Sequence, residues 1–177
     1  MRELEYFTIE GSFGGNQEWF SNLVMYAGGC AAATACDCCI YFARQTGLTA
    51  LYPYDAECLS KRDYKKFSQI MKPYLRPRMQ GVRKLEWFVE GFQKYIRDVN
   101  ERTDKRIEIR MRPFSGAHSF PEAAAFVRSQ IEAGYPIPCL LLRHKNTQRY
   151  KDYIWHWFVV MGCFFSGYIQ QVFVTAY

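Results

Sequence analysis

The chain has 177 residues, of which 49% are hydrophobic, 18% aromatic and 23% charged. This composition excludes an intrinsically disordered chain, and the length is enough to bury one sizeable core, so a single domain over residues 1–177 is expected. A formal charge of +6, concentrated between Lys61 and Arg112, fits a solvated helical surface; it leaves acidic partners open, with nucleic acid the weakest option.

The N-terminus, "MRELEYFTIEGSFGG", mixes charge with aromatics and lacks the apolar core of a signal peptide. The longest near-apolar stretch, "YIWHWFVVMGCFFSGYI", contains His156 and glycines and falls short of the roughly 20 residues a membrane helix needs. No membrane span is expected. Seven cysteines are an odd number, which argues against a disulfide framework and for a reduced, cytoplasmic setting.

Residues 16 to 45 read as helix-forming, interrupted at Gly28-Gly29, with "AAATACDCCIYFA" supplying strong helix formers. A loop follows at "TGLTALYPYD". Ser60 and Asp63 then resemble a capping box ahead of "YKKFSQIMKPY", a helix that should stop near Pro73. Leu85, Phe88, Val89, Phe92 and Ile96 recur at helical spacing and predict a helix from Val82 to about Val99. "RIEIRMR" alternates like a strand, and Ser119 to Glu122 caps a further helix that ends at Gly134. Beyond it, "YPIPCLLLRH", "DYIWHWFVVMGCFF" and "GYIQQVFVTAY" look like successive antiparallel strands. Helices first and sheet second indicate an α+β domain whose helical half packs on a C-terminal antiparallel sheet.

Cys30 stands where a helix should begin, behind two glycines that let the backbone approach closely. Free amides and the helix dipole there favour a thiolate, so a lowered thiol pKa is expected. A thiolate nucleophile needs a proton acceptor, and the chain has three histidines, His118, His144 and His156. His144 lies among charged loop residues and His118 just ahead of a helix, whereas His156 sits inside an apolar strand where an imidazole needs a reason to be. The alternatives are a core histidine satisfied by a hydrogen bond, and a cysteine that acts as a small buried hydrophobe. The pair is more informative than either residue, because an early cysteine at a helix start and a late histidine on a strand are what a Cys-His dyad requires. Cys36, Cys38 and Cys39 share one helix and point in different directions, which suits packing and not a tetrahedral metal site. Cys58, Cys139 and Cys163 carry no functional signal. No metal or organic cofactor is implied.

Three stretches carry a resemblance: "GGNQEWFSNLVMYAGGCAAATACDCCIYFA", "FVRSQIEAGYPIPCLLL" and "WHWFVVMGCFF". Their order resembles the papain-like cysteine peptidases, in the bacterial branch related to the bacteriocin leader-processing (double-glycine) peptidases. The resemblance implies a papain-like fold and a thiol protease acting on a peptide or protein substrate. Cys30 would be the nucleophile, His156 the general base and acid, and Gln17 the side-chain donor of the oxyanion hole, with Asn16 or Asn22 as substitutes. One departure is plain: after His156 there is no Asn, Asp or Glu to orient the imidazole. Gln170 or Gln171 would then fill that role, with Ser166 and Thr175 as the other acceptors; otherwise the enzyme is a dyad, or the chain as given stops before the third residue. A fold that has lost activity and serves as a binding module for peptide or glycan, using Trp155 and Trp157, is the alternative.

Overall fold

The computed structural model describes residues 2–78, 81–142, 146, 148, 155–166 and 169–174, with the backbone alone at 165, 166, 169–171 and 173. The order of elements is β1 (Arg2–Glu3), β2 (Thr8–Ile9), β3 (Ser12–Phe13), a 3-10 turn (Gln17–Trp19), α1 (Leu23–Gly28) and α2 (Cys30–Gln45), then a second 3-10 turn (Thr49–Leu51). After these come α3 (Lys61–Met71), α4 (Leu85–Thr103), α5 (Phe120–Glu132), β4 (Ile137–Leu142), β5 (Trp155–Ser166) and β6 (Ile169–Val174). The fold is α+β with a small antiparallel sheet. No helix among the described residues is long and apolar enough to cross a membrane.

The organising element is α2, in which every residue from Cys30 to Ala43 is buried. A helix enclosed on all sides needs small side chains so that neighbours can approach, and the alanine and cysteine run supplies them. Sheet, α3 and the second 3-10 turn all pack against this helix. Helix α3 starts where Ser60 accepts a hydrogen bond from the Asp63 amide at 3.1 Å, and it ends two residues before Pro73. Helix α5 carries a full Ser119–Glu122 capping box, and the chain turns away at Gly134 with φ +81°.

In the sheet, β5 is central and antiparallel to its partners. Strand β4 pairs with Trp155 to Val160 and β1 with Gly162 and Cys163, so these two lie end to end along one edge of β5. Strand β6 pairs with Val160 to Ser166, overlapping both, and therefore takes the opposite edge.

Two expectations need correction. "RIEIRMR" is not a strand: residues 106–112 have no ladder partner, although Ile107 is buried and Ile109 and Met111 pack on the core. Alternation records burial of one side, and at Ile107 the backbone bonds a side chain instead of a strand, since Asn100 both donates to the Ile107 carbonyl and accepts from the Ile107 amide, each at 2.9 Å. The order is also not purely helices then sheet, because β1 from the N-terminus joins β5.

Candidate active site

Gly29 sets the start of α2. Its amide donates to the Met25 carbonyl and closes α1, while its own carbonyl accepts from Ala33 and opens α2. A Cβ on Gly29 would lie 2.3 Å from the Met25 oxygen, so only glycine allows two helices to abut across one residue. The next residue is Cys30, 4% exposed, at the first position of α2.

Cys30 Sγ meets the backbone of β5. It lies 4.0 Å from the carbonyl oxygen of Trp155, at the limit of a sulfur hydrogen bond, and the Trp157 amide also points toward it. The Trp155 carbonyl belongs to the peptide that leads into His156, which places Sγ within about 7 Å of the His156 Cα. An imidazole and one hydrogen bond together cover that span. Side chains along β5 alternate: Trp157, Val159, Met161 and Cys163 enter the main core, while His156 shares the other face with Phe158, their ring centroids 6.5 Å apart. Cys30 therefore approaches the strand at its backbone, beside the root of the histidine.

Burial governs the charges. It raises the Cys30 thiol pKa, and the backbone amides of Trp157, Ala31 and Cys30 itself offset this only in part. The expected lowering is thus reversed: the helix start contributes, but taking a thiolate out of water costs more than those amides return. His156 is 8% exposed, and burial pushes its pKa down to about 4. At neutral pH the pair is therefore a neutral thiol and a neutral imidazole.

Gln17 sits in the first 3-10 turn with its Nε2 donating to the Tyr26 carbonyl at 3.1 Å. This draws its amide to the chain just ahead of Cys30 and leaves a second N–H on the same nitrogen. Gln17 Oε1 is buried and finds no donor among the described residues. The substitutes considered for Gln17 have their carboxamide oxygens in helix caps: Asn16 Oδ1 accepts from the Glu18 amide at 2.8 Å, and Asn22 Oδ1 accepts from the Met25 amide at 3.2 Å.

Gln170 and Gln171 do not orient His156. The ladder sets them opposite Phe165 and Phe164, nine and eight positions further along β5 than His156. That is about 26 to 30 Å of strand, far beyond a side chain's reach. Thr175 and His144 lie outside the described residues. His118 lies ahead of α5, stacked on Phe114 with 4.1 Å between ring centroids and 3.9 Å from the Glu122 carboxylate.

All seven cysteines are free, and Cys36, Cys38 and Cys39 are in the core, their thiol pKa values pushed well up by burial. Among the described residues no group of three His, Cys, Asp or Glu converges as a metal site would require.

The residue missed by reading the sequence is Asp37, fully buried on α2. Its carboxylate accepts from Tyr6 Oη at 2.8 Å, Tyr64 Oη at 2.9 Å and the Gly15 amide at 3.2 Å. Hydrogen bonds from three separate segments bind the N-terminal hairpin and α3 to the helix that carries Cys30. Gly15 permits this, since a Cβ there would sit 1.9 Å from the Tyr64 ring. The only sequence signal was an acid inside an alanine and cysteine run, which a buried helix tolerates only when the acid is satisfied.

Comparison with protein-family models, with curated proteins and with solved structures finds no match for this chain.

Proposed function

We propose that this chain is a papain-like cysteine hydrolase of peptide or amide bonds. The observation that carries the proposal is the position of Cys30 Sγ at the first turn of a buried helix, 4.0 Å from the carbonyl that precedes His156. In the proposed reaction the imidazole takes the Sγ proton as sulfur attacks the substrate carbonyl carbon. The resulting oxyanion is held by the Cys30 amide and by the second Nε2 hydrogen of Gln17. Collapse expels the amine, which takes the proton back from the imidazolium, and a thioester remains. Water, deprotonated by His156, hydrolyses the thioester and restores the thiol. The proposed machinery is thus Cys30, His156 and Gln17, working in a reduced, cytoplasmic setting.

The neutral pair has a consequence. A buried imidazole with a pKa near 4 is a weak base, so substrate entry must bring water or polar groups to the site before proton transfer is favourable. The same burial favours a second reading, a peptide-binding or glycan-binding module on this fold in which the thiol is inert. The two are separated by incubating the native chain with a proteome-derived peptide mixture and sequencing new termini by mass spectrometry. New termini from the wild type that vanish with both Cys30→Ala and His156→Ala support the hydrolase. Termini that persist in either variant, or none above background, refute it.

A further inference from the structure

Two basic clefts flank α1, the six-residue helix immediately before Cys30. The first, of about 350 Å³, is lined by Tyr74, Arg76, Arg78, Trp87, Glu90 and Lys94 among others. Its wall borders α1 two residues before Cys30 and the core-facing side of β5 at Trp157. The Arg78 carbonyl oxygen lies 3.0 Å from where a Gly28 Cβ would be, and the Val82 carbonyl accepts the indole N–H of Trp157. The second, of about 450 Å³, is lined by Phe20, Asn22, Arg62, Lys65 and Lys66. Phe20 borders Gly29, its ring 3.2 Å from where a Cβ would sit, and Asn22 caps α1. The first cleft thus meets α1 at Gly28, and the second meets it at its N-cap Asn22 and, through Phe20, at Gly29; α1 itself is about 9 Å long, the span of roughly three residues of extended peptide. Between them α1 exposes Leu23, Val24 and Tyr26.

The cations are not fully matched from within. Lys94 is bound to Asp98 at 2.6 Å, and Arg62 and Lys66 share Asp63. Arg76, Arg78 and Lys65 have no carboxylate within 4 Å among the described residues, against Glu90 as the one acid in the first cleft. The Arg78 guanidinium is held over Trp87, 4.1 Å from the ring centroid, with Lys84 5.2 Å from the same ring. Stacking fixes the guanidinium plane and leaves its N–H edge to receive a carboxylate.

We infer that these clefts select the substrate: an extended peptide with a short apolar stretch lying on Leu23, Val24 and Tyr26 and acidic side chains on both flanks, one held by Arg76 and Arg78 and the other by Lys65. This rests on the reading of Cys30 as the nucleophile, but binding is measured without turnover. The test uses the full chain carrying Cys30→Ala and fluorescein-labelled peptides with a Leu-Ala-Leu centre flanked by glutamates, against counterparts with glutamine at those positions. Fluorescence anisotropy at physiological salt should show the glutamate peptide binding at least about tenfold more tightly. Arg76→Ala with Arg78→Ala should remove most of that preference, and Arg78→Lys should lose part of it. Lys65→Ala, on the other cleft and away from Trp87, provides a variant whose fold does not depend on the stacked ring; it should weaken glutamate binding alone. Equal affinity for both peptides, an unchanged preference in Lys65→Ala and the double variant, or tighter binding of a single-stranded oligonucleotide of equal charge would overturn the inference. Acidic-peptide binding without cleavage by the wild type would leave the inference standing and remove the hydrolase.

Discussion

Taking the chain from pH 7 to pH 5 should remove about 2 kcal/mol of stability through His156 alone. The imidazole is buried with its pKa lowered from 6.5 to about 4, so between those values the unfolded chain binds a proton that the folded chain refuses. Stability from this group is complete above about pH 6.5, falls as the pH drops, and is fully lost below about pH 4, for a total near 3 kcal/mol. Urea unfolding of wild type and His156→Gln at the two pH values isolates the effect, because the carboxylates are common to both. The wild type should lose about 2 kcal/mol more than the variant between pH 7 and pH 5. A difference under about 0.5 kcal/mol would mean that His156 titrates normally and is not buried as described.

Gly15→Ala should destabilise the fold by about 3 kcal/mol or more, because Tyr64 must leave the Asp37 carboxylate to make room; Tyr64→Phe, which removes only the hydroxyl donor, should cost about 1 to 3 kcal/mol. Denaturant unfolding checks both, and a loss under about 0.5 kcal/mol in either would show that the Asp37 network does not hold α2 in place. Gln17→Ala should lower kcat/KM by about 100-fold with the fold intact, carried by kcat and not KM, as expected for an oxyanion donor; a change confined to KM would make Gln17 a substrate-binding residue.

Elements governed by local rules were legible in the sequence. Ser60 and Ser119 announce their helices by caps that read the same in sequence and structure, and the three C-terminal runs pair as antiparallel strands. Gly28-Gly29 marked the break before Cys30, although the helix expected over 16–45 is a 3-10 turn and two helices. What escaped depends on distant partners. Residues 106–112 alternate as a strand would, but the backbone of Ile107 bonds the Asn100 side chain and not a neighbouring strand. Asp37 gave no sign that Tyr6, Gly15 and Tyr64, remote in the chain, would meet its carboxylate. The Cys30 thiol was misjudged because a helix start is visible in sequence and desolvation is not. Gln170 and Gln171 were reasonable partners for His156 until the register of β6 was known.

The central claim is that Cys30 reacts because His156 stands beside it, and a peptidyl vinyl sulfone with acidic flanks tests it most directly. Exposed Cys58 should take up iodoacetamide first, since the Cys30 thiol is buried and its pKa raised. The vinyl sulfone should instead label Cys30, as read by peptide mapping of the native chain, and His156→Ala should slow that labelling by about 100-fold while leaving Cys58 alkylation unchanged. Labelling of Cys58 by both reagents, or Cys30 labelling at the same rate with and without His156, would contradict the account.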